Sequence, residues 1–331
     1  MYHKLAVPLD GSPLAESTLP YAQQLVTLLG AQLLLIRVAE IPEPMFEDFD
    51  REAQVMEDTQ GYLEDIKERI TASDSRLHLT PDQLETLAIF DQSPQELAEI
   101  ATAKGVDLLV MTTHGRSGFA RLIMGSIASK VLQDAKLPVV LIRPVERGAV
   151  ESVGGAEPLS LGRRVGPIVV TLDGTIEAET VLESAIELAK QLKTNLHLLQ
   201  VVKPVELVPV TEIAPLYIYD EADVEQVLGE EREQARQYLE KVQNILTEKG
   251  VSSTVEVRVG HAAMQIVDCA QQQEAVLVAM ATHARSGLGQ IFLSSVAEEV
   301  LRQSHRPVLM VHRAAHSRKM QSVARLSKEA R

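Results

Sequence analysis

Aromatic side chains are scarce in this chain: its 331 residues include no tryptophan, 6 tyrosines and 5 phenylalanines. Its core must therefore be packed by Ala, Val, Leu and Ile, which carry most of the 45% hydrophobic content. The single cysteine, Cys269, excludes an intrachain disulfide framework. No apolar run approaches the ~20 residues needed to cross a bilayer, and the opening MYHKLAVPLDGS has no signal-peptide apolar region. These absences predict a cytoplasmic chain without a membrane span. Positive charge is also in deficit, with 32 Lys and Arg against 46 Asp and Glu and a net charge of −14. That balance argues against nucleic acid as a partner, because phosphate backbones are held mainly by Lys and Arg. The basic residues gather at the end, where RAAHSRKMQSVARLSKEAR reads as a solvated tail over residues 314–331.

What is present is a pair of glycine-bearing segments. In MTTHGRSGFARLIMGS an apolar run ending at Met111 breaks at His114 and Gly115, and Gly125 and Ser126 follow just before a helix-like stretch. Glycine lets backbone amides approach an anion without a side chain between them. A helix N-terminus behind them adds unpaired donors and a favourable dipole. The segment returns as MATHARSGLGQIFLSS, offset by 169 residues, and VPLDGSPLAES near the start returns as VTLDGTIEAET. A repeat of this length means duplicated domains, since solenoid repeats are much shorter. The expected organisation is a first domain over 1–145, a Pro- and Gly-bearing linker over 146–164, a second domain over 165–313 and the tail.

Within the first unit, apolar strands are expected over residues 3–8, 31–38, 84–90, 108–112 and 139–143. Between them lie helical patterns, one opening at Ser12 and stopping at Gly30, a polar one over 51–70, then 94–103 and 127–135. Continuously apolar strands alternating with helices imply an α/β fold with a parallel sheet covered on both faces. Two tandem doubly wound domains follow. In the second unit the loop after the second strand is expected to be longer, running through KPVELVPVTEIAPLYIYDEADVEQ. Ligands of such sheets bind outside the carboxyl ends of the strands where strand order reverses, which would bring Asp10 to the Gly115 loop.

These features together resemble tandem-domain universal stress proteins over nearly the whole chain: the opening strand ending in Asp10, the apolar second strand, and a Gly-x-x-Gly-x9-Gly-Ser/Thr loop after a buried strand. The resemblance implies the adenine nucleotide alpha hydrolase-like fold with strand order 3-2-1-4-5, and domains paired through their last strands. It also implies ATP binding together with Mg2+ or Mn2+. Carried across, it would set the adenosine against Pro8, Asp10 and Val38, with Asp10 accepting a ribose hydroxyl, and Gly115, Arg116, Gly125, Ser126 and Ile127 around the phosphates. Leu9, Met111, Thr112 and His114 complete the implied lining. A carboxylate suits a ribose donor, and amides, hydroxyl and guanidinium suit phosphate oxygens.

Departures from that pattern matter. Thr112 stands where the leading motif glycine would be; a β-branched residue resists positive φ and its side chain fills space near the nucleotide, so either a strained or crowded loop or a hydrogen bond from its hydroxyl is expected there. In the second unit Ala281, Ala284 and Ser294 replace all three glycines, so nucleotide binding is expected in the first unit alone. His114 and His283 read first as loop-ordering residues. Asp10 and Asp173 would also cap the helices that follow them. Met111, Met280 and Cys269 read as core residues, and no Cys/His spacing resembles a zinc site. The expected function is an ATP-binding stress-response regulator whose nucleotide state biases domain pairing, a homodimer or an unidentified protein partner. A slow ATPase or phosphotransferase is the alternative, as is a nucleotide-free scaffold or small-ligand carrier.

Overall fold

The computed structural model describes residues 1–39, 49–72, 79–90, 96–113, 128, 131–132, 137–143, 165–204, 221–282 and 294–312. The first unit contributes strands β1 (Lys4–Leu9), β2 (Gln32–Ala39), β3 (Leu84–Phe90), β4 (Leu108–Thr112) and β5 (Val139–Ile142). Its helices are α1 (Pro13–Glu16), α2 (Leu19–Leu29), α3 (Phe49–Thr71) and α4 (Glu96–Ala103). The second unit contributes β6 (Ile168–Thr171), β7 (Leu196–Val202), β8 (Ser253–Val259), β9 (Leu277–Thr282) and β10 (Val308–His312). Its helices are α5 (Ile176–Glu179), α6 (Val181–Leu192), α7 (Glu221–Glu248), α8 (Ala262–Gln272) and α9 (Ser295–Gln303).

All ten strands form one sheet in the order β3-β2-β1-β4-β5-β10-β9-β6-β7-β8. Each half is parallel and follows the expected 3-2-1-4-5 order. The halves join where β5 meets β10 antiparallel, with Val139 opposite Met310, Val140 opposite Leu309 and Leu141 opposite Val308. Val140 and Leu309 are equivalent under the 169-residue offset, so this register is self-complementary about a pseudo-twofold axis, as in an isologous dimer.

One face of the sheet carries α2, α3, α6 and α7 over a single apolar cluster that spans both units, from Leu25 and Leu63 to Leu188 and Leu239. On the other face are α4, α8 and α9, with Ala128, Val131 and Leu132 packed into the same cluster. The first strand's N-terminal flank ties the units together. Tyr2, buried, donates its hydroxyl to Ser184 O at 3.4 Å, and its backbone exchanges hydrogen bonds with the Gln191 side chain at 2.7 and 3.0 Å.

Two expectations about helices change. The helix opening at Ser12 is two helices, because Ser17 and Thr18 hydroxyls donate back to Leu14 O and Ala15 O at 2.6 Å and Pro20 follows without an amide hydrogen. The stop at Gly30 holds: its φ of 63° is the left-handed C-cap. The expected long loop through Gln226 is shorter, since α7 already begins at Glu221. That stretch shows no apolar stripe because α7 rests on the sheet only from Ala235 onward, through Ala235, Leu239, Val242 and Leu246. Good helix formers and side-chain pairs such as Gln226 to Glu230 carry its exposed turns instead.

The seam predicts the behaviour of half the chain. Residues 1–145 alone would expose β5, whose four residues are all buried in the full chain, as an unpaired apolar edge. Light scattering should find this fragment associated at high concentration, with β5 pairing to its own copy; a clean monomer would contradict the expectation.

Candidate functional site

The reversal in strand order of the first unit lies between β1 and β4. β1 pairs with β4 through Leu5 to Leu108 and Ala6 to Leu109, and with β2 through Pro8 to Ile36 and Leu9 to Arg37. Continuing these registers brings Asp10 level with Val38 on one side and Thr113 on the other. The carboxyl ends of the strands at this reversal, where the crevice of a doubly wound sheet is expected, therefore carry a carboxylate, an apolar residue and two threonines.

Asp10 Oδ1 accepts from the Ser12 amide at 2.8 Å, and Ser12 Oγ accepts from the Ala15 amide at 3.1 Å. The helix cap is thus Ser12, and Asp10 fixes the turn before it; the second unit repeats this with Asp173, Thr175 and Ala178. This corrects the expectation that the aspartates themselves cap. Gly11 between them has φ of 81°, which favours glycine, and a Cβ there would lie 3.1 Å from Arg37 Nη2, the end of a flexible side chain.

The remaining implied residues divide. Pro8 and Val38 are half-buried near the crevice, whereas the Leu9 and Met111 side chains lie in the core on opposite faces of the sheet. Thr112 is buried and sits inside β4, paired with Ile142 of β5. The only non-glycine residues at positive φ among those described are Lys193 and Glu274. Thr112 is therefore unstrained, which removes the first of the two expectations for it, and the equivalent Ala281 likewise lies within a strand, β9. The leading motif position is a strand residue, where a Cβ is at no conformational disadvantage. His114, Gly115, Arg116, Gly125, Ser126 and Ile127 lie outside the described residues, as do His283, Ala284, Arg285, the 146–164 linker and the tail.

Arg37 and Thr113 were not singled out in the sequence. Arg37 is the one charge in a strand that is apolar apart from Gln32 at its start, which was the available signal. Its guanidinium carbon stands 4.1 Å from the Tyr62 ring centroid. Tyr62 donates its hydroxyl to Glu16 at 3.0 Å, and Arg69 holds the other Glu16 oxygen at 2.7 Å. Arg37 thus places positive charge beside Gly11. The second unit has neutral Gln200 at the corresponding place, 3.8 Å from where a Gly174 Cβ would sit.

Fold and crevice define a tandem doubly wound α/β protein of the kind that binds ligands at a strand-order reversal. The chain matches the Universal stress protein family over residues 1–143 and 165–312, and it belongs to that family. It is 30% identical over 145 residues to a universal stress protein of Methanocaldococcus jannaschii, covering 44% of this chain and 80% of that protein. It is 27% identical over 157 residues to universal stress protein YxiE of Bacillus subtilis, covering 43% of this chain and all (100%) of that protein. Among solved structures, a universal stress protein from Archaeoglobus fulgidus aligns over 94% of this chain and 98% of its own, with TM-score 0.62 and 17% identity. A second structure, described as a putative universal stress protein from Pseudomonas aeruginosa, gives 94%, 93%, 0.56 and 18%. At such identities the structural likeness speaks for the fold. No helix among the described residues is long and apolar enough to cross a membrane.

Proposed function

We propose that the chain is an ATP-binding stress-response regulator with one nucleotide site, in the first domain (1–145), and that the second domain (165–313), joined by the 146–164 linker, serves as its paired partner. The observation that carries this reading is the convergence of Asp10, Val38, Thr112 and Thr113 at the strand-order reversal, the place from which the glycine loop departs. The donor set suits a nucleoside. Asp10 accepts from a ribose hydroxyl, Val38 and Pro8 offer apolar contact to a base, and Gly115, Arg116, Gly125, Ser126 and Ile127 hold the phosphates. Among the described residues Asp10 is the one crevice carboxylate, so Mg2+ or Mn2+ is held chiefly by the phosphates, in keeping with the way such ions bind.

Comparison of the units supports a single site. In the second, Ser294 occupies the position of Gly125 and is the N-cap of α9, its hydroxyl accepting from the Ala297 amide at 3.1 Å. A side chain there takes up a helix-terminal donor, and glycine at the corresponding position of the first unit has no side chain to do so. The loss of Arg37's charge at Gln200 points the same way.

The direct test is to denature the purified chain and identify what it releases. Stoichiometric adenine nucleotide supports the regulator, ATP converted steadily to ADP supports the slow ATPase, and no nucleotide from a chain that also fails to bind added ATP with magnesium leaves the scaffold. Thr112 refines this. Because it is unstrained, Thr112→Gly should not tighten ATP binding; it should weaken it by a few fold by loosening the end of β4, at roughly 1 kcal/mol, while Thr112→Ser retains it. Tighter binding by the glycine variant in titration calorimetry would contradict this placement.

A further inference from the structure

A second cluster of chemistry lies on the α8 face of the second unit, at positions offset by 163 or 169 residues from their equivalents in the first. His197 on β7, Glu256 on β8 and Cys269 on α8 bring Nε2, a carboxylate oxygen and Sγ within 4.8 Å of one another. Nε2 stands 2.8 Å and Sγ 3.7 Å from the same oxygen, Glu256 Oε2. His197 and Cys269 are buried, while Glu256 keeps 29% of its side chain exposed.

Strand registers identify the corresponding residues of the first unit. Leu33 faces Leu84 as Leu196 faces Ser253, so His197, Glu256 and Arg258 correspond to Leu34, Leu87 and Ile89, and the 169-residue offset sets Cys269 against Ile100. The same fold therefore accepts an apolar quartet here. Burying ionic groups costs desolvation that apolar residues avoid, so stability of the domain does not call for this His, Glu, Arg and Cys.

From this geometry we infer that His197, Glu256 and Cys269 form a binding site for a borderline divalent transition-metal ion, Zn2+ above others. Typical Zn–N, Zn–O and Zn–S bonds at tetrahedral angles put N and O about 3.3 Å apart and S and O about 3.6 Å apart; the S–O pair stands at 3.7 Å, and the N–O pair, a hydrogen bond of 2.8 Å, must open by about 0.5 Å to admit the ion. The surrounding residues orient the ligands. Thr254 Oγ1 stands 2.8 Å from His197 Nδ1, fixing the ring with Nε2 towards the cluster. Arg258 donates to the other carboxylate oxygen, Oε1, at 2.6 Å and is itself held by Gln272 Oε1 at 2.8 Å, so Oε2 is turned to the site. Imidazole with thiolate is a donor pair that favours zinc over magnesium or calcium. The exposed side of Glu256 gives the ion its route in and a water its fourth position.

Metal binding forms the Zn–N, Zn–O and Zn–S bonds; it breaks the Cys269 S–H bond, releasing that proton to water, and replaces the Nε2–H donated to Glu256, the neutral imidazole taking the tautomer whose proton is on Nδ1 and is donated to Thr254 Oγ1. Burial, with the Glu256 carboxylate beside it, pushes the thiol up to about 12, so at neutral pH the proton stays until a metal replaces it. The carboxylate is ready earlier: burial would raise its pKa, but the hydrogen bonds from Arg258 and His197 outweigh that and hold it below the ordinary value.

Cys269 is the only cysteine, which makes the test specific. The full chain, stripped by a chelator and free of nucleotide, is titrated with Co2+ and then Zn2+. One Co2+ per chain should bind with a thiolate-to-cobalt charge-transfer band and release of one proton, and Zn2+ should remove the band. Cys269→Ser should abolish the band. A quadruple variant taking the first unit's residues, with His197→Leu, Glu256→Leu, Arg258→Ile and Cys269→Ile, should remain folded by circular dichroism and bind at least about 100-fold more weakly. A stripped wild type that shows no band at saturating Co2+, or a folded quadruple variant with wild-type affinity, would overturn the site. Because no nucleotide is present, either result is independent of the ATP reading.

Discussion

Val140→Asp should remove a large share of the protein's stability margin. Val140 is fully buried at the centre of the seam, directly opposite Leu309, which is also fully buried. A carboxylate there has no partner on either strand and must either ionise in an apolar layer or take up a proton. The expected loss is about 4 kcal/mol or more, against a typical total of about 5–15 kcal/mol. By the pseudo-twofold register Leu309→Asp should cost a similar amount. Urea unfolding of the full chain measures both, and a loss below about 1 kcal/mol from either would show that the seam is not the shared core described above.

Gly115→Val should lower affinity for ATP with magnesium by at least about 100-fold, or about 2.7 kcal/mol. A branched side chain would stand where the loop backbone is proposed to approach phosphate. Ala284→Val, the same change in the second unit, should alter affinity by no more than about twofold, because a Cβ already occupies that loop. Calorimetry on the two variants separates the readings: equal losses would remove the one-site proposal. The pairing of these substitutions uses the duplication as an internal control, since both loops follow a buried strand in the same sheet.

Much of the architecture was legible because its signals are local. Buried parallel strands such as Leu108–Thr112 are apolar up to their last residue, and the helices between them show their own periodicity or, at Gly30, their own stop. The start of α7 was not legible, since its first turns face solvent and helix propensity there leaves no burial pattern to read. The choice between the two expectations for Thr112 was not legible for a different reason. A motif comparison places a residue relative to a loop, but only the hydrogen-bonded ladder with β5 says that this residue is still strand. Asp10 was placed correctly at the end of β1, and its bond to the Ser12 amide rather than to a helix terminus depended on a turn whose φ at Gly11 the sequence does not state.

By itself the sequence determined the duplication, the alternation of strand and helix, the family resemblance and the location of the glycine loop after a buried strand. These follow from periodicity and spacing along the chain. The tertiary structure decided that β5 and β10 fuse the two units into one ten-stranded sheet about a pseudo-twofold axis, that Arg37 stands beside Gly11 on the first unit only, and that His197, Glu256 and Cys269 meet. Each of these depends on register between strands far apart in sequence. Pairing energy there comes from burying whole faces together, and no local pattern encodes which distant residue a side chain will face.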